Sequence, residues 1–135
     1  MVRAATLCIG DWVFHTPSGK PVRIDRETLF VAGKFVIGYD FQPIMLTDEF
    51  FIKNGFAPTP GDTGSGYRHT EKDKVESSTP AYIDYWHSPA REDSSEMYKI
   101  TVHGNGCTIS FDRNIAVHEL QAAMRICKIH KTIEV

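Results

Sequence analysis

Short apolar stretches separated by polar turns occupy the first third of the chain, which predicts β-strands. Four stretches are predicted strands: Asp11–His15, Val22–Asp25, Thr28–Val31 and Phe35–Ile37, of which Val22–Asp25 alternates apolar and polar residues as a half-buried strand does. The turn-forming run Thr16–Pro21 separates the first two, and Ala32-Gly33-Lys34 has the composition of a hairpin connection between the last two. Short strands with turns between them are typical of a β-meander or a small SH3-like barrel, which we expect over residues 7–41.

The segment from Pro43 to Phe56 has the start and stop signals of a short helix. In chain order these are a staple residue, a hydroxyl cap, two carboxylates at the positive end of the helix dipole, and a terminal glycine: Leu46, Thr47, Asp48, Glu49 and Gly55. We predict a helix over Thr47–Asn54. Because so short a helix is marginal alone, it must be fixed by packing of Phe50, Phe51, Ile52 and Phe56, with Phe51 as the partner of the staple.

Residues 57–80 differ in character from the rest of the chain. They begin with turn-forming proline and glycine residues and continue with charged and polar ones. This composition predicts a long flexible loop over residues 57–80. The alternative is a short strand around Tyr67-Arg68-His69.

Strand-like patterns return after Pro80. Three stretches show them: Ala81–His87, Met97–His103 and Cys107–Asp112. The polar run Ser88–Ser95 is a loop, and Gly104-Asn105-Gly106 is a strong hairpin signal between the last two strands. We expect an antiparallel sheet.

The last long pattern has helical spacing over Ile115–Ile129. Its apolar stripe consists of Val117, Leu120, Met124 and Cys127, widened by Ala116, Ala123 and Ile126. The final residues Thr132–Val135 suit a short strand. Together these elements predict a single α+β domain over residues 1–135, in which the C-terminal helix covers the later antiparallel sheet.

Charge is distributed unevenly along the 135 residues. The net charge is −2 and the pI about 6.3, but residues 57–96 carry eight acidic and four basic side chains, a net −4. A nucleic-acid-binding surface usually shows as a clustered basic patch with a high pI, so a phosphate backbone is not favoured as the main partner. No run approaches the eighteen apolar residues of a membrane span, and no secretory signal is recognisable, so we expect a cytoplasmic protein and no membrane partner.

The cysteines and histidines do not form a known metal motif. Cys8, Cys107 and Cys127 are an odd number without a C-x-x-C pair, so we expect buried small side chains in a reducing compartment rather than a disulfide or a zinc site. The six histidines lack the H-x-x-x-H and H-E-x-x-H spacings. No metal and no cofactor is predicted.

The glycine-rich run Gly61-Asp62-Thr63-Gly64-Ser65-Gly66 suggests a phosphate loop but departs from one. A P-loop continues with Lys and Ser or Thr, whereas Tyr67 and Arg68 follow here. Asp62-Thr63-Gly64 also has the letters of the aspartic protease signature, without the apolar strand that should precede it. We interpret the run as a flexible linker.

Two groups of residues are candidate binding surfaces. Tyr82, Asp84 and Trp86 alternate along one predicted strand and therefore share a face, on which aromatic rings could stack on bases or anchor a protein. Arg125, Lys128 and Lys131 form a small basic group at the C-terminal end. These six are the predicted binding residues, and no catalytic residue is predicted.

Several short motifs, taken in order, resemble one family. They are Ile9-Gly10-Asp11-Trp12-Val13, Pro43-Ile44-Met45-Leu46-Thr47, Lys53-Asn54-Gly55-Phe56 and His118-Glu119-Leu120-Gln121, with Gly19-Lys20-Pro21 between the first two. The pattern resembles a group of small uncharacterised proteins common in prophages and mobile elements of anaerobic gut bacteria. The chain departs from it at Met45, where that group often has proline, and in the polar stretch 57–80. The resemblance implies kinship and a phage or mobile-element context, and it carries over no site residue.

Three functional hypotheses follow. The first is a non-enzymatic accessory protein that contacts an unidentified protein partner. The second is a nucleic-acid-binding module that uses the barrel-like half and the basic C-terminal end. The third is a hydrolase whose site is assembled from dispersed histidine and aspartate residues.

Overall fold

The computed structural model describes residues 7–25, 41–59, 61, 64–71 and 80–135. Within these ranges the chain forms eight strands: β1 Trp12–His15, β2 Lys20–Arg23, β3 Phe41–Gln42, β4 Ala57–Thr59, β5 Ser65–Thr70, β6 Tyr82–Ser88, β7 Met97–Gly104 and β8 Cys107–Phe111. Two helices are described, α1 Asp48–Lys53 and α2 Val117–Ile126. The predicted α+β class is confirmed.

Contacts between Cα atoms divide the chain into two compact units. The first comprises the described residues of Met1–Met45 with Ala116–Gln121 and Val135, and the second comprises those of Leu46–Ile115 with Ala122–Glu134. The predicted single domain stays a prediction.

The first unit contains an antiparallel sheet in the order β2-β1-β3. The predicted β1–β2 hairpin is confirmed, with Gly19 in the left-handed region (φ 66°) closing the turn. A small apolar cluster packs on the sheet: Leu7, Val13, Ile24 and Phe41, with Val22 against them. The strands expected at residues 28–31 and 35–37 lie outside the described residues, so the complete meander or barrel stays a prediction.

The second unit contains a five-stranded antiparallel sheet in the order β4-β5-β6-β7-β8. Asn105 and Gly106 form the predicted hairpin turn, with φ angles of 52° and 73°, as a two-residue type I′ turn requires. Cys127, one residue past α2, bonds through its thiol to the Val102 and Cys107 carbonyls (3.6 and 3.8 Å), so the end of α2 contacts this sheet.

The structure corrects the prediction of a loop over residues 57–80. Residues 57–59 form β4 and residues 65–70 form β5, so the alternative of a strand around Tyr67-Arg68-His69 is the one confirmed. Turn-forming residues misled the interpretation, because proline is tolerated at the edge of a sheet and Pro58 lies in the edge strand β4. Residues 72–79 lie outside the described residues.

Helix α1 has the predicted ends. The Thr47 hydroxyl accepts from the Phe50 amide at 3.2 Å. At the other end the Phe56 amide donates to the Phe51 carbonyl and the Gly55 amide to that of Ile52, which is a Schellman motif with Gly55 at φ 75°. Each end of the helix is therefore closed by bonds that leave few backbone groups unpaired.

Helix α2 is shorter than the predicted Ile115–Ile129. It ends in a second Schellman motif, in which the Ile129 amide bonds to Met124 and the Lys128 amide to Arg125. Lys128 adopts the left-handed conformation (φ 54°) that glycine usually adopts at the end of a helix. Because no glycine is present there, the sequence contained no signal for where α2 ends. The predicted apolar stripe is buried, but Ile126 is exposed and does not belong to it.

Two further expectations, on the C-terminal residues and on the cysteines, are corrected by the structure. Thr132–Val135 is not a strand, because a side chain replaces the partner strand: the Asn54 amide group donates to the Glu134 carbonyl and accepts from its N–H, both at 2.8 Å. Cys8 and Cys107 are exposed and only Cys127 is buried, since Cys107 directly follows the exposed hairpin turn.

Phe51→Ala is expected to destabilise the protein by roughly 3–5 kcal/mol, because it removes a ring that has no exposed surface. Urea unfolding followed by circular dichroism measures the change. Ile52 is 61% exposed, so the expectation that it helps to fix the helix by packing is wrong, since only one side of a short helix faces the core. The matched control is therefore Ile52→Ala, for which a change within about 0.5 kcal/mol is expected. An unchanged melting temperature for Phe51→Ala would show that the ring is not part of the core.

The C-terminal ends of α1 and α2 each place one residue in the left-handed region, Gly55 and Lys128, and substitutions there should change stability in opposite directions. Gly55→Ala should cost about 1 kcal/mol, although nothing lies within 4 Å of the added Cβ, because the left-handed backbone alone is unfavourable for alanine. Lys128→Gly should stabilise by roughly 0.5–1 kcal/mol, since it relieves the same strain. Thermal unfolding of both variants checks the pair, and a stabilising Gly55→Ala would contradict it.

Candidate binding pocket

A pocket of about 280 Å³ lies in the second unit, at the N-terminus of α1. Its lining consists of one apolar residue, one hydroxyl, two carboxylates and three rings: Leu46, Thr47, Asp48, Glu49, Tyr85, His87 and Tyr98. We call it the acidic pocket, since its lining includes two carboxylates and no lysine or arginine.

Strand alternation brings the three rings to one face of the sheet. Tyr85 and His87 are two residues apart on β6, and Tyr98 on the neighbouring strand β7 is the pairing partner of His87. We call this side of the sheet the pocket face. The paired His87 and Tyr98 rings stack with centroids 4.4 Å apart and planes at 4°, so they form a stacked wall of the pocket in which each ring covers one face of the other.

Tyr85 is held by the aromatic core under the pocket. Its ring stacks on Phe51 at 4.3 Å, and the residue is only 2% exposed. Burial, followed by the nearby Asp48 carboxylate, raises the pKa of Tyr85 well above its usual value. The phenol therefore stays protonated and its position is fixed by packing.

Glu96 ties the wall together from outside the lining. Its Oε1 accepts from the Tyr98 hydroxyl at 2.8 Å and lies 2.6 Å from His87 Nε2. The hydrogen bond from Tyr98, followed by that from His87, lowers the pKa of the Glu96 carboxyl, while burial and the bond to Glu96 raise the pKa of Tyr98. At neutral pH the carboxylate is therefore ionised and Tyr98 is protonated.

Asp48 is also held in place. The Ser65 hydroxyl on β5 donates to its Oδ2 at 2.7 Å, which leaves Oδ1 for another partner. The Thr47 hydroxyl is engaged by the helix as its cap. Glu49 is exposed at the mouth.

The chemistry of this lining is that of an acceptor site for cations. Ionised carboxylates accept hydrogen bonds from ammonium and guanidinium groups, and aromatic faces attract the same groups through their quadrupoles. Among the residues that the structure describes, no group of three His, Cys, Asp or Glu side chains is placed to hold a metal ion.

The predicted surface of Tyr82, Asp84 and Trp86 lies on the other side of β6. The three side chains share a half-buried face, which we call the open face. Tyr82 offers little ring surface, because the Arg68 guanidinium lies 4.6 Å from its centroid and the His103 ring stacks at 5.2 Å, from the strands on either side. Trp86 is the remaining aromatic platform.

The predicted basic residues lie at and after the end of α2. Arg125 and Lys128 are exposed. The Lys131 ammonium lies 5.6 Å from the centroid of the Phe56 ring, so it makes a cation–π contact with a core residue of the second unit. Their role in binding stays a prediction.

Sequence reasoning missed the acidic pocket. The sequence assigned Asp48 and Glu49 only to the start of a helix. It also suggested the face of the strand that carries Trp86 as the binding surface, rather than the face that carries Tyr85 and His87. Alternation along β6 was sufficient to place Tyr85 and His87 together, but nothing in the sequence pairs that strand with the start of α1.

Comparison with protein-family models, curated proteins and solved structures found no match. The resemblance to the prophage and mobile-element group therefore stays a prediction. No helix within the described ranges is long and apolar enough to cross a membrane.

Proposed function

We propose that the protein is a non-enzymatic accessory protein that binds a partner protein, and that the partner places a lysine or arginine side chain in the acidic pocket. The observation that carries this proposal is the convergence of Asp48 and Glu49 with three aromatic rings in one small pocket. The resemblance to mobile-element proteins supports an accessory role, and a cytoplasmic location remains our expectation.

Charge favours a cationic group. Asp48 and Glu49 line the pocket, and Glu96 adds a third carboxylate behind His87 and Tyr98. A carboxylate that bonds to a charged donor contributes about 1.5–3 kcal/mol, more than a neutral hydrogen bond. Oδ1 of Asp48 and the exposed Glu49 are acceptors available to such a donor.

Size favours a single side chain. Pockets for drug-sized ligands have volumes of roughly 300–1,000 Å³. The acidic pocket, at about 280 Å³, is at the lower end of that range and has room for the end of one long side chain. The stacked rings of His87 and Tyr98 also line the pocket and add surface against which the methylene groups of a lysine or arginine side chain can pack.

The pocket is held in shape by the protein itself. Tyr85 is fixed by Phe51, Tyr98 and His87 by Glu96, and Asp48 by Ser65. Groups that are already ordered lose little conformational entropy on binding, which favours recognition of a side chain at a small interface.

A pair of pentapeptides tests this proposal. One has a central arginine between glycines, and the other has citrulline, which has the same length and no charge. In titrations followed by amide NMR shifts, the arginine peptide should bind more tightly than the citrulline peptide, with shifts concentrated at Asp48, Glu49, Tyr85, His87 and Tyr98. Binding should weaken as salt is raised.

Substitutions supply the control. The double variant Asp48→Asn with Glu49→Gln should weaken binding of the arginine peptide by about tenfold, since about 1.4 kcal/mol corresponds to that factor. Glu92→Gln removes an exposed carboxylate of the β6–β7 loop that does not line the pocket, and should leave binding unchanged. Equal affinity for both peptides would exclude a cation site.

One observation favours the hydrolase hypothesis as a second candidate. His87 Nε2 lies 2.6 Å from Glu96, the arrangement of a general base oriented by a carboxylate, in a pocket where further titratable groups converge. With Nε2 engaged, Nδ1 is the atom that remains to activate a water molecule.

A screen of nitrophenyl ester and phosphate substrates tests the hydrolase. Any turnover by this site should fall by roughly 10²–10⁴-fold in His87→Ala, the usual contribution of a general base. Turnover that survives His87→Ala does not come from this pocket. The nucleic-acid hypothesis is supported by no comparable observation and stays a prediction.

A further inference from the structure

Two of the three glycines in the glycine-rich run are explained by the indole ring of Trp86, whereas Gly64 is explained by the backbone of His87, whose carbonyl oxygen would lie 2.2 Å from an added Cβ. An added Cβ at Gly61 would lie 2.0 Å from the Trp86 ring, and one at Gly66 would lie 2.8 Å from it. Gly66 is also the strand partner of Trp86. The indole therefore lies flat across the backbone of β5 and reaches Gly61, which only residues without a side chain permit.

The open face around this ring faces solvent. Every side chain that the structure describes on this side of the five-stranded sheet is exposed or half-buried. Trp86 itself is half-buried, with its six-membered ring against Gly66 and Gly61. The result is a fixed aromatic platform on a sheet surface.

Polar groups of both signs surround the platform. Lys99 is the partner of Trp86 on β7, and the neighbouring row across the sheet contains Arg68, Asp84 and Thr101. The Arg68 guanidinium, which carries five N–H donors, lies over the Tyr82 ring at 4.6 Å. Donors and an acceptor are thus present within two adjacent rows.

We propose that the Trp86 platform binds a neutral oligosaccharide. The C–H face of a pyranose ring is apolar and packs on an indole, while its rim of hydroxyl groups both donates and accepts hydrogen bonds. Asp84 accepts from such hydroxyls, and Lys99 and Arg68 donate to them. The site is distinct from the acidic pocket, because it lies on the opposite face of β6.

The single open ring and the carboxylate of Asp84 argue against a single-stranded nucleic acid, which would also stack on Trp86. Binding of single strands combines stacked aromatic rings with a positively charged groove. Here Asp84 lies in the middle of its row between Arg68 and Thr101, and Tyr82 is already covered by Arg68 and His103. A neutral ligand meets no repulsion from Asp84, whereas a phosphate chain does.

The experiment uses the full chain with Trp12→Phe, so that Trp86 is the single tryptophan. The probes are the hexasaccharides of cellulose, xylan, mannan and amylose, with a fifteen-residue oligothymidylate as the competing class. We expect a saturable change of Trp86 fluorescence with at least one hexasaccharide. The same sugar, measured by calorimetry, should bind at least tenfold more weakly to Trp86→Ala and severalfold more weakly to Asp84→Asn.

A second variant separates loss of the platform from loss of the fold. Trp86→Phe keeps a smaller ring and should retain part of the affinity, and circular dichroism checks each variant. The matched control Glu92→Gln should bind as the parent does. The proposal is overturned if none of the four sugars binds, if binding is unaffected in folded Trp86→Ala and Trp86→Phe, or if the oligothymidylate alone binds.

Discussion

Packing around Phe51 is the constraint on which the second unit depends. Its ring meets four others, those of Phe50, Phe56, Tyr67 and Tyr85, at centroid distances of 4.3 to 5.9 Å. Because α1 has only six residues, its own hydrogen bonds would not hold it in water. The ring contacts fix the helix on the sheet, and the caps determine where it begins and ends.

The acidic pocket is a consequence of that packing. Phe51 holds α1 against Tyr85, and the first turn of α1 carries Asp48 and Glu49 to the same place. These carboxylates serve the helix dipole in any helix that begins this way. They become part of a site here because the strand beneath them supplies rings rather than aliphatic side chains.

Local signals in the sequence were sufficient where a turn or cap has its usual residues. Thr47 and Gly55 marked both ends of α1, and Asn105-Gly106 marked a hairpin. Local signals failed where an unusual residue takes the position, as Lys128 does at the end of α2, and other failures depended on contacts between distant residues: Asn54 replaces a strand beside Glu134, 80 positions away. The acidic pocket could not be predicted for the same reason, since the sequence does not reveal that α1 packs on β6.

Alternation along β6 gives one strand two unlike surfaces. Tyr85 and His87 face the aromatic core and the acidic pocket, whereas Asp84 and Trp86 lie on the open face, with Trp86 over Gly66 of β5. A register shift of one residue would exchange the two sets and bury Asp84. The glycine-rich run therefore helps to fix the register of β5 on β6 as well as the shape of the surface. Gly66 lies opposite Trp86, where the indole fits and where any side chain would collide with it. Fold and both candidate sites thus rest on the same pairing of β5 with β6.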